Sequence, residues 1–212
     1  MTDVGKACPS FSLPALSADG ESALDPKRYA GSYLVLYFYP KDDTPGCTRE
    51  AQAFTAKKAE LAKLGAHVVG VSRDTIAKHK SFQAKYKLNF PLVSDPDRVA
   101  HLAFGAWGEK TMYGKKIEGA LRSTFVIGPD RKVVRVFRNV KVDGHADAVL
   151  DAIRAHQAGD APAKPAPKAA KPVASAATKA TKAKSAPAAK APPKKAATMV
   201  KAKTTRPQSR KK

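Results

Sequence analysis

Cysteine is nearly absent from this chain: Cys8 and Cys47 are the only thiols in 212 residues. Two cysteines in unlike contexts cannot build the disulfide framework of a small secreted domain, so a reducing compartment suits them better. No Cys-x-x-Cys pair occurs, which argues against a disulfide exchanger of the thioredoxin type. Long apolar runs are missing as well. The longest, residues 33–39, is far short of the roughly 20 residues that span a bilayer. The opening Met1-Thr2-Asp3-Val4-Gly5-Lys6 has no apolar stretch of the signal-peptide kind. A soluble cytoplasmic protein that does not engage a membrane is the expectation. The histidines His67, His79, His101, His145 and His156 show no metal-ligand spacing with each other or with a cysteine, so no metal is expected. Gly119 and its neighbours form no phosphate-binding loop, which leaves no cofactor to expect.

Acidic and aromatic residues are missing from one end only. Residues 161–212 carry 15 of the 39 Lys and Arg, eight of the 16 Pro, no Asp or Glu and no aromatic residue. Such a segment cannot bury a core. Alanine and lysine favour helix, but proline cuts it into pieces, the longest at 173–186 and 194–206. Disorder is expected, with helix forming on those pieces where an anion neutralises the lysines. The boundary falls near Gly159, giving residues 1–159 as one domain and 160–212 as a disordered basic tail. A mobile polycation binds DNA or RNA through phosphates, with affinity that falls steeply with salt. Without aromatics to stack on bases, its sequence preference should be slight. The plain alternative is a solubilising tail with no assigned partner. Anionic lipid is a weaker partner, because no apolar face would enter the bilayer.

What is present is a thiol in a particular place. Pro40-Lys41-Asp42-Asp43-Thr44-Pro45-Gly46-Cys47-Thr48-Arg49-Glu50 follows the apolar run 33–39, so Cys47 falls where a strand ends and a helix begins. The unpaired N–H groups of a helix start favour negative charge, and so favour a thiolate over a thiol. Thr44 is a suitable N-cap, Pro45 suits the first helical position, and Gly46 permits close approach to the backbone. Ala51, Phe54, Leu61 and Leu64 give the helix a buried face, Gly65 a stop, and Lys57, Lys58, Glu60 and Lys63 a wet face. Asp42 and Asp43 precede the helix start, where a favourable dipole interaction explains them.

Strand-like runs at 33–39, 67–72, 124–127 and 133–137 alternate with helical patterns at 47–64, 75–86 and 144–156, an α/β order. Gly128-Pro129-Asp130-Arg131 is a turn signal, so the last two strands should form an antiparallel hairpin added to a parallel pair.

Pro40, Thr44 and Cys47 fit Pro-x-x-x-Thr-x-x-Cys, which resembles the active-site signature of the peroxiredoxins. The longer Pro-Lys-Asp-x-Thr-Pro-Gly-Cys-Thr form is similar to that of the bacterioferritin comigratory protein, or peroxiredoxin Q, branch. The likeness continues through Phe11-Ser12-Leu13-Pro14, Gly70-Val71-Ser72, Pro91-Leu92-Val93-Ser94-Asp95, Trp107-Gly108-Glu109-Lys110 and Arg122-Ser123-Thr124-Phe125, and runs to about residue 157. It implies a thioredoxin-like fold, a mixed central sheet flanked by helices. It also implies a thiol-dependent peroxidase acting on hydrogen peroxide and organic hydroperoxides. Cys47 would be the nucleophile, Arg122 the cation beside it, Thr44 the hydroxyl that binds the peroxide, and Pro40 the shield against water. The N–H groups of Gly46 and Cys47 would help to hold the substrate. Taken alone, Cys47 reads as a small buried hydrophobe and Arg122 as a surface arginine at a strand start. Glu50 pairs with an arginine behind the site or is a solvated helix charge.

Attack on a peroxide leaves a sulfenic acid that must be reduced. Many members of the family keep a resolving cysteine five residues on; here that residue is Gln52. Others carry it in the next helix, and residues 75–86 contain none. Either an external thiol, thioredoxin or a small monothiol, completes the cycle, or Cys8 does. Cys8 sits in a segment resembling the family's opening strand, where the plain reading is a packed core thiol. Trp107 belongs to a loop near the site or to the core. A monomer or weak dimer is expected. The competing view of the whole is a nucleoid-associated DNA-binding protein whose front domain is mainly a carrier.

Overall fold

In the computed structural model, residues 2–112 and 115–159 are described, and the basic segment 160–212 lies outside the described residues. Seven strands form one mixed sheet. In chain order they are β1 (Leu13–Ser17), β2 (Gly20–Leu24), β3 (Tyr33–Phe38), β4 (Ala66–Ser72), β5 (Leu92–Ser94) and, after a separate two-stranded hairpin of β6 (Trp107–Met112) and β7 (Lys115–Ala120), β8 (Ser123–Ile127) and β9 (Val133–Arg138). Their spatial order is β2-β1-β5-β4-β3-β8-β9. Strands β5, β4 and β3 run parallel; β8 joins β3 and β9 joins β8 antiparallel. The expected parallel pair with an added hairpin is therefore the β4-β3-β8-β9 end of the sheet, with β9 at its edge. Every residue of β3, Tyr-Leu-Val-Leu-Tyr-Phe, is buried, as befits a strand covered on both faces.

The helices are α1 (Pro45–Lys63), α2 (Ile76–Tyr86), α3 (Val99–Phe104) and α4 (His145–Gln157). On one face of the sheet, Tyr33, Val35, Tyr37 and Tyr39 pack with Ala51, Phe54 and Leu61 of α1, Phe82 of α2, and Val149, Leu150 and Ile153 of α4. On the other, Leu34, Leu36 and Phe38 pack with Phe11, Ala100 and Phe104, so α3 and the N-terminal segment cover that side. The alternation of β3 side chains thus feeds two cores, one on each side. Gly70, paired with Tyr37 across the parallel ladder, leaves room for its ring: a Cβ there would stand 2.8 Å from the Tyr37 hydroxyl and 2.9 Å from Leu92 Cδ2.

Three sequence expectations need correction. The segment around Cys8 is not a strand; it makes a single bridge, Ala7 to Lys132, across the start of β9. Trp107 opens strand β6 rather than lying in a loop, half-buried between the guanidinium groups of Arg73 and Arg98 at 5.1 and 5.3 Å from its ring centre. Asp42 and Asp43 turn away from the start of α1 and bind α2 instead.

Candidate active site

The site is built where β3 leaves the sheet and α1 begins. Thr44 is the N-cap of α1 with extended backbone, Pro45 the first helical residue, Gly46 the second and Cys47 the third. The first bond of the helix is Thr48 N–H to the Thr44 carbonyl at 2.8 Å, so the N–H groups of Gly46 and Cys47 lie in the turn that has no helical acceptor. Thr44 takes the cap position without capping: its hydroxyl donates to the Lys41 carbonyl at 3.1 Å instead of accepting from the helix. Pro40 is half-buried in the bend before it.

Cys47 is 1% exposed and its neighbour in space comes from far along the chain. Arg122, between β7 and β8, donates from Nη2 to Cys47 Sγ at 3.2 Å. Its Nη1 donates to the carboxylate of Glu50, one turn further along α1. A guanidinium is planar and bidentate, so this fork fixes its plane and presents one edge to the sulfur. Of the two readings open for Glu50, the pairing behind the site is the one found. Its carboxyl is buried, and burial pushes it up to about 7 against the opposing pull of Arg122. Tyr37 lies on the same side, wholly buried, its hydroxyl held far above the usual phenol range by burial and then by Glu50.

A further layer lies near the arginine. His145 opens α4, packs edge-on against Phe54 and Phe137, and meets Thr124 Oγ1 at 2.8 Å through Nε2. Burial first, and the charge of Arg122 second, push it down to about 4. The backbone carbonyl of Arg122 accepts from Val140 N–H at 3.1 Å. Sequence reasoning gave His145, Thr124 and Tyr37 no role beside the thiol, and no local signal would have done so, since they converge from three elements.

The two thiols do not meet. Cys47 belongs to the core under α1, whereas Cys8 packs with Phe11, Leu24 and Phe104 on the opposite face, and both are free. Burial pushes the Cys8 thiol up to about 11, with Arg131 only partly opposing. The alternative in which Cys8 resolves Cys47 thus meets the sheet itself as an obstacle, and the packed core thiol is the reading its surroundings fit. Among the described residues, no group of three His, Cys, Asp or Glu gathers to hold a metal, and no helix is long and apolar enough to cross a membrane.

A mixed sheet with helices on both faces, opening a helix on a buried thiol beside an arginine, is the arrangement of a thioredoxin-like thiol enzyme. Residues 4–136 match the AhpC/TSA family, and the chain belongs to that family. Within it the chain falls among the Bcp/PrxQ peroxiredoxins, which are thiol-dependent peroxidases. It is 49% identical over 158 residues to peroxiredoxin Bcp of Xanthomonas campestris, covering 74% of this chain and 98% of the relative. Peroxiredoxin Bcp of Escherichia coli K12 is 40% identical over 152 residues, covering 72% and 96%. A solved structure of Xanthomonas campestris bacterioferritin comigratory protein, a protein described for its alkyl peroxide reduction activity, superposes with a TM-score of 0.67 at 45% identity over 73% of this chain and 99% of that one.

Proposed function

We propose that Cys47 is the thiol that attacks the peroxide. The observation that carries this reading is the 3.2 Å donation from Arg122 Nη2 to Cys47 Sγ in the first turn of α1. The thiolate attacks the terminal oxygen of a hydroperoxide: an S–O bond forms as the O–O bond breaks, sulfur is oxidised to a sulfenic acid, and hydroxide or alkoxide leaves to take a proton from water. Charge moves from sulfur to the departing oxygen, and Arg122 with the N–H groups of Gly46 and Cys47 are the donors that follow it. The Thr44 hydroxyl, on a rotatable bond, turns from the Lys41 carbonyl to the substrate, and Pro40 limits access of water. Hydrogen peroxide and organic hydroperoxides are the substrates; the alkyl peroxide reduction described for the Xanthomonas relative supports the second class. The sulfenic acid is then reduced by an external thiol, thioredoxin or a small monothiol. Gln52 at the usual resolving position, the absence of cysteine from α2 and the placement of Cys8 across the sheet favour that route. Replacing Cys47 by Ser should eliminate peroxide turnover; retained turnover would overturn the assignment.

A second activity rests on charge. Residues 161–212, with 15 basic and no acidic side chains, bind DNA or RNA non-specifically and hold the peroxidase near the nucleoid. In the competing view the enzyme domain is mainly a carrier for that binding. Cys47→Ser separates the two, since it removes turnover and leaves nucleic-acid binding unchanged.

A further inference from the structure

The loop between β3 and α1 is fastened to α2 by two consecutive carboxylates. Asp42, 7% exposed, engages both of its oxygens. Oδ1 accepts from the Tyr39 hydroxyl at 2.7 Å, and Oδ2 meets His79 Nδ1 at 2.7 Å. Its backbone N–H donates to Asp74 Oδ2 at 2.8 Å, and Asp74 is held in turn by Ser72 and Lys78. His79 is wholly buried, and its Nε2 faces the Val93 carbonyl at 3.2 Å. A carbonyl only accepts, so Nε2 donates to Val93, and Nδ1 shares a short hydrogen bond with the carboxylate. Asp43 follows with φ of 56°, unusual for a residue with a side chain. It is kept there by Lys85 at 2.8 Å and by the Tyr86 hydroxyl.

Nothing in the peroxide chemistry uses these groups. A buried polar pair is weak evidence for stability when well-packed apolar side chains of the same volume would serve, so its presence asks for another reason. Here every oxygen of Asp42 and both nitrogens of His79 are matched, which rigidifies the segment they join. Strained backbone at Asp43, four residues before Cys47, is held by its neighbours as such strain is at working sites. We propose that Asp42 and His79 are a positioning pair that sets the start of α1 against the sheet, so that the reactivity of Cys47 toward peroxide depends on its attachment to α2. This inference rests on the reading of Cys47 as the attacking thiol.

Two amide substitutions separate positioning from mere core filling. His79→Asn puts an amide nitrogen near the place of Nδ1 and keeps a donor for Asp42; His79→Gln puts it near Nε2 and keeps only the donor to Val93. The readouts are the second-order rate of Cys47 oxidation by one equivalent of hydrogen peroxide in the full-length protein, and the melting temperature. Both variants should melt lower, but the Gln variant should react on the order of 10- to 100-fold more slowly than the Asn variant. Equal rates, or a faster Gln variant, would overturn the proposal. Should neither fold, the double variant Lys85→Ala and Tyr86→Phe, which keeps the partly buried ring of residue 86, releases Asp43: slower oxidation at a near-native melting temperature is expected, and an unchanged rate would overturn the proposal. Loss of the underlying reading would be seen separately, as turnover that survives Cys47→Ser.

Discussion

Burial sets the protonation of several groups around the thiol, and each has a pH signature. The Glu50 carboxyl stands at about 7 in the folded protein against an ordinary 4.5. Its value is raised, so the stability contributed by the protonated group is full below about pH 4.5 and is lost as pH rises through about 7. Thermal melts should therefore show the wild-type protein losing stability relative to Glu50→Gln across that interval. His145 works the other way. Its value falls from 6.5 to about 4, so its contribution is full above about 6.5 and disappears as pH drops through 4. Melting of His145→Gln should lack that acid loss. Cys8, raised to about 11 by its apolar surroundings, should resist iodoacetamide in the native protein at pH 8, and Cys8→Ala should leave peroxide turnover unchanged. Disappearance of turnover in that variant would place Cys8 inside the cycle.

The longer elements follow the sequence periodicity closely, and the short ones do not. Helices α1, α2 and α4 and strands β3, β4, β8 and β9 are within a residue or two of the expected runs, because each has an apolar face long enough to register. Strand β5 has three residues and α3 six, too few for any period to emerge. Strand β1 contains Pro14 and pairs at the sheet margin, while β6 and β7 are charged and pair only with each other. At the site, Thr44, Pro45, Gly46 and Cys47 were legible because one unbroken stretch of chain, the cap and first turn of α1, carries them all. Arg122 was legible only through family likeness, and the attachment of Asp42 to His79 was not legible, since the two are 37 positions apart. The packing of Tyr37 over Gly70 gives the element-scale prediction. Gly70→Ala places a methyl group 2.8 Å from the Tyr37 hydroxyl and should cost roughly 1–3 kcal/mol in urea unfolding, with slower peroxide reduction if Tyr37 is pushed toward Glu50.

At the scale of the whole molecule, one thiol lies under α1 and the other across the sheet. On the proposed reading, that separation leaves Cys47 to work without Cys8 and with a borrowed reductant. The charge is just as uneven: the last 52 residues hold +15 of the formal +21. Removing residues 161–212 should abolish retardation of DNA in low-salt gels while leaving peroxide turnover nearly intact, and equal retardation by the truncated protein would rule out the tail as the binding element. The central claim, that Cys47 alone is oxidised by peroxide and waits for an external thiol, is tested by intact-mass and peptide analysis of the full-length protein. The protein is treated with one equivalent of hydrogen peroxide in the presence of dimedone. A single dimedone adduct on Cys47 with Cys8 still a free thiol is the predicted result; a Cys8 to Cys47 disulfide, or an unmodified Cys47, would contradict it.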